Sequence, residues 1–339
     1  MPKHQITIID IARELGISKS TVSRALAGHP NVHPETRKRV WEVARFYEYQ
    51  PNLLAKSLIE RKTHHLGVVI PDIEKPFFAS IVSGIQQVAN PAGYRIIITQ
   101  SNESPREEAA NIQALVLSRV DGLLICHTRE TTDFEHIYQI HRKGILITGF
   151  ARVCPGLKIP TVVENDVEGA YLMVRHLVAG GARRIGLLSG PRELTACRLR
   201  EQGYLKALSE AGITPGAEWI VNTRFLKQDI APALDHWMGL EEPPEALFAI
   251  YDAGAAQLIL QLQARGIQVP EQVQVAGFGN DPVAEIIAPG LTTYAQFPHK
   301  IGETACKQML GLLSGAKTPA TQKIVRGKLI QRHSTLRAQ

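Results

Sequence analysis

The chain has 339 residues, of which 44% are hydrophobic and 21% charged, with a net charge of +6, a composition typical of globular proteins with two or three domains. Its four cysteines are far apart and form no CxxC pair, so the sequence favours neither a zinc site nor a disulfide framework and indicates a reducing cytosol. No apolar signal segment precedes the first helix and no apolar run reaches about 18 residues, so we expect a cytoplasmic protein without membrane contact.

The positive charge is concentrated at the N-terminus. Residues 1–62 contain 11 Lys/Arg and 6 Asp/Glu, so nearly all of the net charge lies in this first fifth of the chain. Such a basic segment is suited to contact with the phosphates of a nucleic acid, so we expect any such contact in this part of the chain.

Residues 7–27, TIIDIARELGISKSTVSRALA, predict two short helices joined by a tight turn. Thr7 and Asp10 have the spacing of a capping box at the start of the first helix, Gly16 is placed to end it, and Ser18 can cap the second helix. The apolar stripe of the first helix recurs at helical spacing and comprises Ile8, Ile11, Ala12 and Leu15. This pattern predicts a helix-turn-helix.

The second helix has one apolar and one polar, cationic face. Val22 and Leu26 point back at the first helix. A helix fits the major groove of B-DNA, where Lys and Arg donate to guanine and Ser contacts any base type. We therefore predict base contacts from Lys19, Ser20 and Arg24. Hydroxyl contacts to phosphates are predicted for Thr7, Ser18, Thr21 and Ser23.

The longer stretch TIIDIARELGISKSTVSRALAGHPNVHPETRKRVWEVARFYEYQPNLLAKSL resembles the DNA-binding head of LacI-type (lactose repressor and GalR) transcription regulators. The resemblance includes the order of the hairpin, a third helix from about Pro34 to Tyr47, and a YQPN segment. It implies that LLAKSL is a hinge helix that orders on the operator and inserts Leu58, with Ala55 beside it, into the minor groove. At His33 the family usually has Ser or a similar cap, so we expect a weaker helix start.

After a polar connector, apolar strand-like runs alternate with helical patterns, which predicts an α/β core of doubly wound parallel sheets in two lobes. The resemblance implies a periplasmic-binding-protein-like core in which the chain crosses back, so that each lobe is discontinuous. The predicted domains are a head at 1–50, a hinge helix and connector at 51–65, a first lobe at 66–160 plus about 293–325, and a second lobe at 161–292 plus about 326–339. Facing lobes create a cleft at the carboxyl ends of their strands.

Several residues that follow strands are candidates for binding an effector in this cleft. Phe77 and Phe78 are adjacent aromatic residues placed to stack on a sugar ring or another flat ligand face, although core packing is an equally good interpretation. Arg200 matches the family's effector-binding arginine, and a guanidinium can donate two hydrogen bonds to hydroxyls or a carboxylate. Phe225 matches an aromatic pocket position of the family.

The chain departs from the family at three polar pocket positions. An Asp is replaced by Ala151, an Asn by Tyr251 and an Asp by Gly279. The remaining candidate effector contacts at these places are Arg152, Tyr251, Asp252 and Asn280. Loss of two carboxylates leaves fewer acceptors for a polyol and less repulsion for an anion, so we expect a sugar acid, a phosphorylated or acylated sugar, or a less polar compound.

These features favour a transcriptional regulator without enzymatic activity, cofactor or metal. The sequence contains no GxSxG, HExxH, GxxxxGK[ST] or helix-opening GxGxxG motif. We expect a repressor that binds a pseudopalindromic operator as a homodimer under the control of a carbohydrate or a derivative. Alternatives are a ligand-gated activator, an architectural DNA-bending protein, or a small-molecule-binding module with reduced DNA function. The sequence ends without an apolar heptad tail, which favours a dimer over a helical tetramer.

Overall fold

The computed structural model describes residues 6–49, 62–316 and 321–336. The chain divides into two compact units, a head that ends at Thr63 and a core that begins at His64. Among the described residues, no helix is both long and apolar enough to cross a bilayer. All four cysteines are free thiols and buried.

The head contains three helices, α1 (Ile8–Leu15), α2 (Lys19–Leu26) and α3 (Pro34–Phe46). They enclose a small apolar core that includes Ile11, Val22 and Val40, each fully buried. The left-handed backbone of Gly16, with φ of 65°, ends α1 and turns the chain into α2. These observations confirm the predicted helix-turn-helix.

The core unit alternates strands and helices, as the apolar runs predicted. Its first part comprises β1 (His65–Ile70), α4 (Pro76–Ala89), β2 (Arg95–Gln100), α5 (Pro105–Leu117), β3 (Gly122–Ile125), α6 (Glu135–Arg142), β4 (Ile147–Phe150) and β5 (Thr161–Glu164). There follow α7 (Asp166–Ala179), β6 (Ile185–Ser189), α8 (Thr195–Glu210), β7 (Ile220–Asn222), α9 (Ile230–Met238), β8 (Ala246–Ala249), α10 (Asp252–Ala264) and β9 (Gln274–Gly279). The last elements are α11 (Val283–Ile286), β10 (Thr292–Ala295), α12 (Pro298–Leu313), β11 (Gln322–Val325) and β12 (Lys328–Ile330).

Two sheets form the centres of two lobes. In the described part of the chain, the first sheet has the order β11-β5-β4-β3-β1-β2 and is parallel throughout. The second has the order β12-β10-β9-β8-β6-β7 and is parallel except where β12 pairs with β10. Helices cover both faces of each sheet, and each face has its own apolar core. In the first lobe, α4 and α12 cover one face, and α5 and α6 cover the other. In the second lobe, α7 and α8 cover one face, and α9 and α10 cover the other.

The predicted boundaries between the lobes were wrong at two strands. β5 pairs with β4 and β11, so Thr161–Glu164 belongs to the first lobe and not to the second. β10 pairs with β9, so Thr292–Ala295 belongs to the second lobe and not to the first. The first error has a physical cause, because parallel neighbours usually enclose a crossover helix, whereas residues 151–160 between β4 and β5 contain none.

α12 is late in the sequence but packs against α4 on the first sheet. The approach is so close that a Cβ atom at Gly84 would clash with the carbonyl oxygen of His299, and one at Gly302 with that of Ile81. These two glycines therefore allow the backbones of the two helices to contact each other. This contact fixes the returning segment of the chain to the first lobe.

Replacement of Gly84 by Ala should destabilise the core unit by about 2–3 kcal/mol, since the new methyl group meets backbone atoms that cannot rotate away. Chemical unfolding followed by circular dichroism measures this change. Ser83→Ala, at an exposed position of the same helix, is the control and should unfold near the wild-type midpoint. Equal midpoints for both variants would show that α4 and α12 can separate at little cost.

Candidate functional site

The candidate DNA-binding surface is the exposed face of α2. Lys19, Ser20, Ser23 and Arg24 are all exposed, while Val22 and Ala25 are buried against the other helices. Among the described residues, neither Lys19 nor Arg24 has a salt-bridge partner. The face thus presents two cationic side chains and two hydroxyls to solvent.

Side-chain caps fix both helices of the hairpin. Thr7 and Asp10 form the predicted capping box, in which the Asp10 carboxylate accepts from the Thr7 backbone N–H at 2.9 Å. The Ser18 hydroxyl accepts from the Thr21 backbone N–H at 3.1 Å and lies within 2.8 Å of the hydroxyls of Ser20 and Thr21. Three hydroxyl groups therefore lie close together at the start of α2, next to its exposed face.

Two predicted features of the head have different outcomes. His33 precedes α3 and makes no side-chain capping bond, as expected from its departure from the family pattern. The predicted minor-groove residues Ala55 and Leu58 lie outside the described residues.

The second candidate site lies between the lobes of the core. The chain crosses between the two sheets after β5, after β10 and after β11. Two of these crossings touch, because the Gln296 amide donates to the Glu164 carboxylate at 3.2 Å. Parallel strands carry their ligand-binding residues at the carboxyl ends, and the predicted effector residues follow such ends in both lobes.

In the first lobe, the loops after β2 and β4 meet in a buried ion pair. Arg152 donates through Nη1 to both carboxylate oxygens of Glu103, at 3.1 and 2.8 Å. Its guanidinium lies over the ring of Phe78, 5.5 Å from the ring centre. Phe78 is only 4% exposed and packs in the core, whereas its neighbour Phe77 is half-buried. Core packing is thus the main role of Phe78, and Phe77 is the better placed of the two for a ligand.

In the second lobe, Arg200 lies in α8 and forms its own buried ion pair. Its Nε donates to Asp166 at 2.7 Å and its Nη1 to the backbone carbonyl of Ile250 at 2.7 Å. The guanidinium stacks 3.9 Å from the ring centre of Phe278. Bonds on two sides and a ring beneath hold Arg200 in one orientation.

Phe225 and Tyr251 form an aromatic pair next to Arg200. Their rings make an edge-to-face contact with centres 4.9 Å apart. Phe225 has a left-handed backbone with φ of 63°, which is costly for a bulky residue and typical of functional sites. Its ring covers Gly190 at the end of β6, where a Cβ atom would collide with it. The pair provides an apolar wall of the second lobe.

Asp252, a predicted effector contact, makes hydrogen bonds within the second lobe. It is fully buried, and its carboxylate accepts from the Thr293 hydroxyl at 2.6 Å and from the Asp281 backbone N–H at 2.7 Å. Burial raises the pKa of Asp252 to about 6. Asn280 accepts from Arg332 at 2.8 Å, so both groups hold the loop after β9 in place.

Sequence reasoning missed the carboxylates that orient both arginines. Glu103 and Asp166 lie 49 and 34 residues from Arg152 and Arg200, and Glu164 was not recognised either. Glu164 is buried, and burial together with the nearby Asp166 raises its pKa to about 7, against the opposing effect of Arg200 and Arg152. Glu103 and Asp166 follow the ends of β2 and β5, and Glu164 is the last residue of β5. This position at strand ends was the available signal.

Both parts of the chain match models of known protein families. Residues 7–52 match the model of bacterial regulatory proteins of the lacI family, and residues 174–335 match the periplasmic binding protein-like domain. The chain is 30% identical over 329 residues to the HTH-type transcriptional repressor CytR of Escherichia coli (strain K12), covering 97% of this chain and 96% of the relative.

Two solved structures share the fold. A lac repressor dimer bound to operator and the anti-inducer ONPF superposes with a TM-score of 0.87 at 23% identity, covering 98% of this chain and 100% of the other. A complex of the transcriptional regulator CelR with cellobiose has a TM-score of 0.74 at 24% identity, covering 97% and 99%. Together, these likenesses confirm the predicted architecture and family: the chain belongs to the lacI family of bacterial regulatory proteins, DNA-binding transcriptional regulators with an effector-binding core.

Proposed function

We propose that the protein is a transcriptional repressor that binds a pseudopalindromic operator as a homodimer and responds to a small molecule held between its two lobes. The observation that carries the proposal is the exposed cationic face of α2, whose Lys19 and Arg24 have no salt-bridge partner in the part of the chain that the structure describes. CytR is a repressor, and the lac repressor structure is a dimer on its operator, which supports the same function here.

Base recognition rests on α2 of each protomer. Lys19, Ser20 and Arg24 contact base edges in the major groove of each half-site. The hydroxyls of Thr7, Ser18, Thr21 and Ser23 bind phosphates and set the position of the helix. Leu58 of each protomer, with Ala55 beside it, inserts into the minor groove at the centre of the operator.

The effector acts through the angle between the lobes. Phe77 and Arg152 approach the ligand from the first lobe, and Arg200, Phe225 and Tyr251 approach it from the second. A ligand that binds better to one lobe arrangement shifts the population toward that arrangement. The hinge segments follow this shift and change the affinity of the heads for DNA. The relative with cellobiose bound supports a carbohydrate or a derivative as the ligand.

Selection of bound sequences from a randomised duplex library tests the DNA-binding proposal. The purified full-length protein should enrich an inverted repeat, and a footprint of the enriched DNA should cover both half-sites. Enrichment of a single, unrepeated half-site would contradict binding as a symmetric dimer. Recovery of no sequence at all would contradict operator recognition.

The Arg200→Lys variant should lose the effector response while it keeps its fold. Lysine retains the positive charge beside buried Asp166, but its donors all lie on one nitrogen and cannot reach the places that Nε, Nη1 and Nη2 of Arg200 occupy. A ligand at about 100 times its Kd stabilises the wild type by about 2.7 kcal/mol, which is readily seen in a thermal melt. The variant should melt near the unliganded wild type and show no ligand shift. An undiminished shift would remove Arg200 from the effector site.

A further inference from the structure

Three segments of the chain cross between the lobes, and hydrogen bonds join the first two of them to each other and to Arg200. The first crossing leads from β5 into α7, whose first residue, Asp166, accepts from the Nε of Arg200 at 2.7 Å. The second crossing leaves β10, and its Gln296 amide donates at 3.2 Å to the carboxylate of Glu164, the last residue of β5. Arg200 is thus tied to the chain at these crossings.

The third crossing, after β11, lies against the side chain of Tyr294 in β10. The backbone N–H of Gly327, in this crossing, donates to the Tyr294 hydroxyl oxygen at 2.9 Å. A Cβ atom at Gly327 would clash with the Tyr294 ring and with the carbonyl oxygen of Ala295, so the close approach of the backbone requires glycine. The third crossing is therefore held against one side chain of the second lobe.

One aromatic ring joins Tyr294 to Arg200. Tyr294 and Phe278 are both buried, and their ring centres lie 4.9 Å apart. The guanidinium carbon of Arg200 lies 3.9 Å from the centre of the Phe278 ring. A Cβ atom at Gly169 in α7 would clash with both rings, so the backbone of this helix packs directly on them. In such a close-packed interior, a shift of one ring displaces the other.

These contacts connect the position of the third crossing with the orientation of Arg200. Rotation of one lobe against the other changes the backbone where the chain crosses between them. At Gly327 such a change acts on the Tyr294 hydroxyl and, through two packed rings, on the guanidinium of Arg200. Phenylalanine would fill the same space in the core, so the hydroxyl is the group that distinguishes a coupling role from packing alone.

We propose that Tyr294 is a positioning residue that couples the effector site to the third crossing between the lobes. Its hydroxyl holds Gly327, and its ring sets the orientation of Arg200 through Phe278. The inference rests on the proposed effector site and names a route by which that site and the lobe angle influence each other. By the reciprocity of linked equilibria, a ligand on Arg200 then acts on the crossing as much as the crossing acts on ligand affinity.

Hydrogen–deuterium exchange of the ligand-free, full-length protein tests the coupling. The measured quantity is the exchange rate of the amides of residues 326–328, and strand β2 in the other lobe reports any general loosening. Arg200→Lys should raise the exchange of residues 326–328 by about two-fold or more, because the Phe278 ring loses its stacked guanidinium. Arg198→Lys is the matched control, since this exposed arginine of the same helix bonds to Thr195, and it should leave the exchange unchanged.

Tyr294→Phe isolates the hydroxyl, because phenylalanine keeps the ring that packs on Phe278 and α7. The Gly327 N–H loses its acceptor, so its exchange should rise by about five-fold. In this background Arg200→Lys should cause no further rise at residues 326–328, because the link between the two sites is already broken. Phe278→Leu removes the ring between them and provides a second variant, which should raise the same exchange as Arg200→Lys does.

Three results would overturn the coupling. The first is unchanged exchange at residues 326–328 in Arg200→Lys, and the second is an equal rise caused by Arg200→Lys with and without the Tyr294 hydroxyl, since independent sites add. The third is a rise in β2 as large as that at residues 326–328 in both Arg200→Lys and Phe278→Leu. These readouts need neither DNA nor effector. Operator binding by the wild-type preparation therefore tests the proposed function separately.

Discussion

An Arg24→Ala variant should lose base discrimination at one position of each operator half-site and bind the preferred operator about 1–3 kcal/mol more weakly. This is the loss expected for one bidentate contact between arginine and a base edge. Arg24 is exposed on α2 and has no salt-bridge partner among the described residues, so its removal leaves no buried charge behind. The helix itself stays intact, because Ser18 caps it and Val22 and Ala25 anchor it.

Arg45→Ala is the matched control for this experiment. Arg45 is an exposed arginine in the last turn of α3, so its loss removes the same charge from the head. Affinities for a panel of single-base operator variants, measured at several salt concentrations, separate the two roles. A phosphate contact weakens all sequences alike and lowers the salt dependence, whereas a base contact changes their ranking. Uniform weakening by Arg24→Ala across the panel would assign Arg24 to the phosphates.

The three helices of the head within residues 6–49 could be predicted because their structure follows local rules. The Thr7 and Asp10 capping box, the Gly16 turn and the Ser18 cap each depend on residues within one helical turn. The absence of a side-chain capping bond at His33 was predicted in the same way. The hydrogen bonds that join the Ser18 hydroxyl to those of Ser20 and Thr21 were not predicted, because they depend on side-chain rotamers.

Several features of the core could not be predicted from the sequence. Buried strands such as β1 and β6 are continuous apolar runs and were predicted, but β11 is mostly exposed, so no such run marks it. The assignment of β5 and β10 to lobes depends on strand pairing, which no single segment encodes. The residues of the cleft were found through strand ends and family resemblance. Their partners Glu103 and Asp166 were missed, because these pairs join distant segments whose proximity arises only from the fold.

A Glu164→Gln variant should be more stable than wild type at pH 8 by on the order of 2–3 kcal/mol. Burial and the nearby Asp166 raise the pKa of Glu164 from near 4.5 to about 7, in spite of Arg200 and Arg152. The folded protein therefore binds this proton more tightly than the unfolded chain does. Stability from this group is highest at low pH and is lost as the pH rises from about 4.5 to about 7. Glutamine retains an oxygen that can accept from Gln296 and has no charge to bury.

Calorimetric melts of the two proteins at pH 5 and pH 8 measure this difference, which should fall below about 1 kcal/mol at pH 5 because wild-type Glu164 is then protonated in the fold. Glu168→Gln, at an exposed position of α7, four residues after Glu164, is the control. A stability difference that is the same at both pH values would show that Glu164 carries no buried charge.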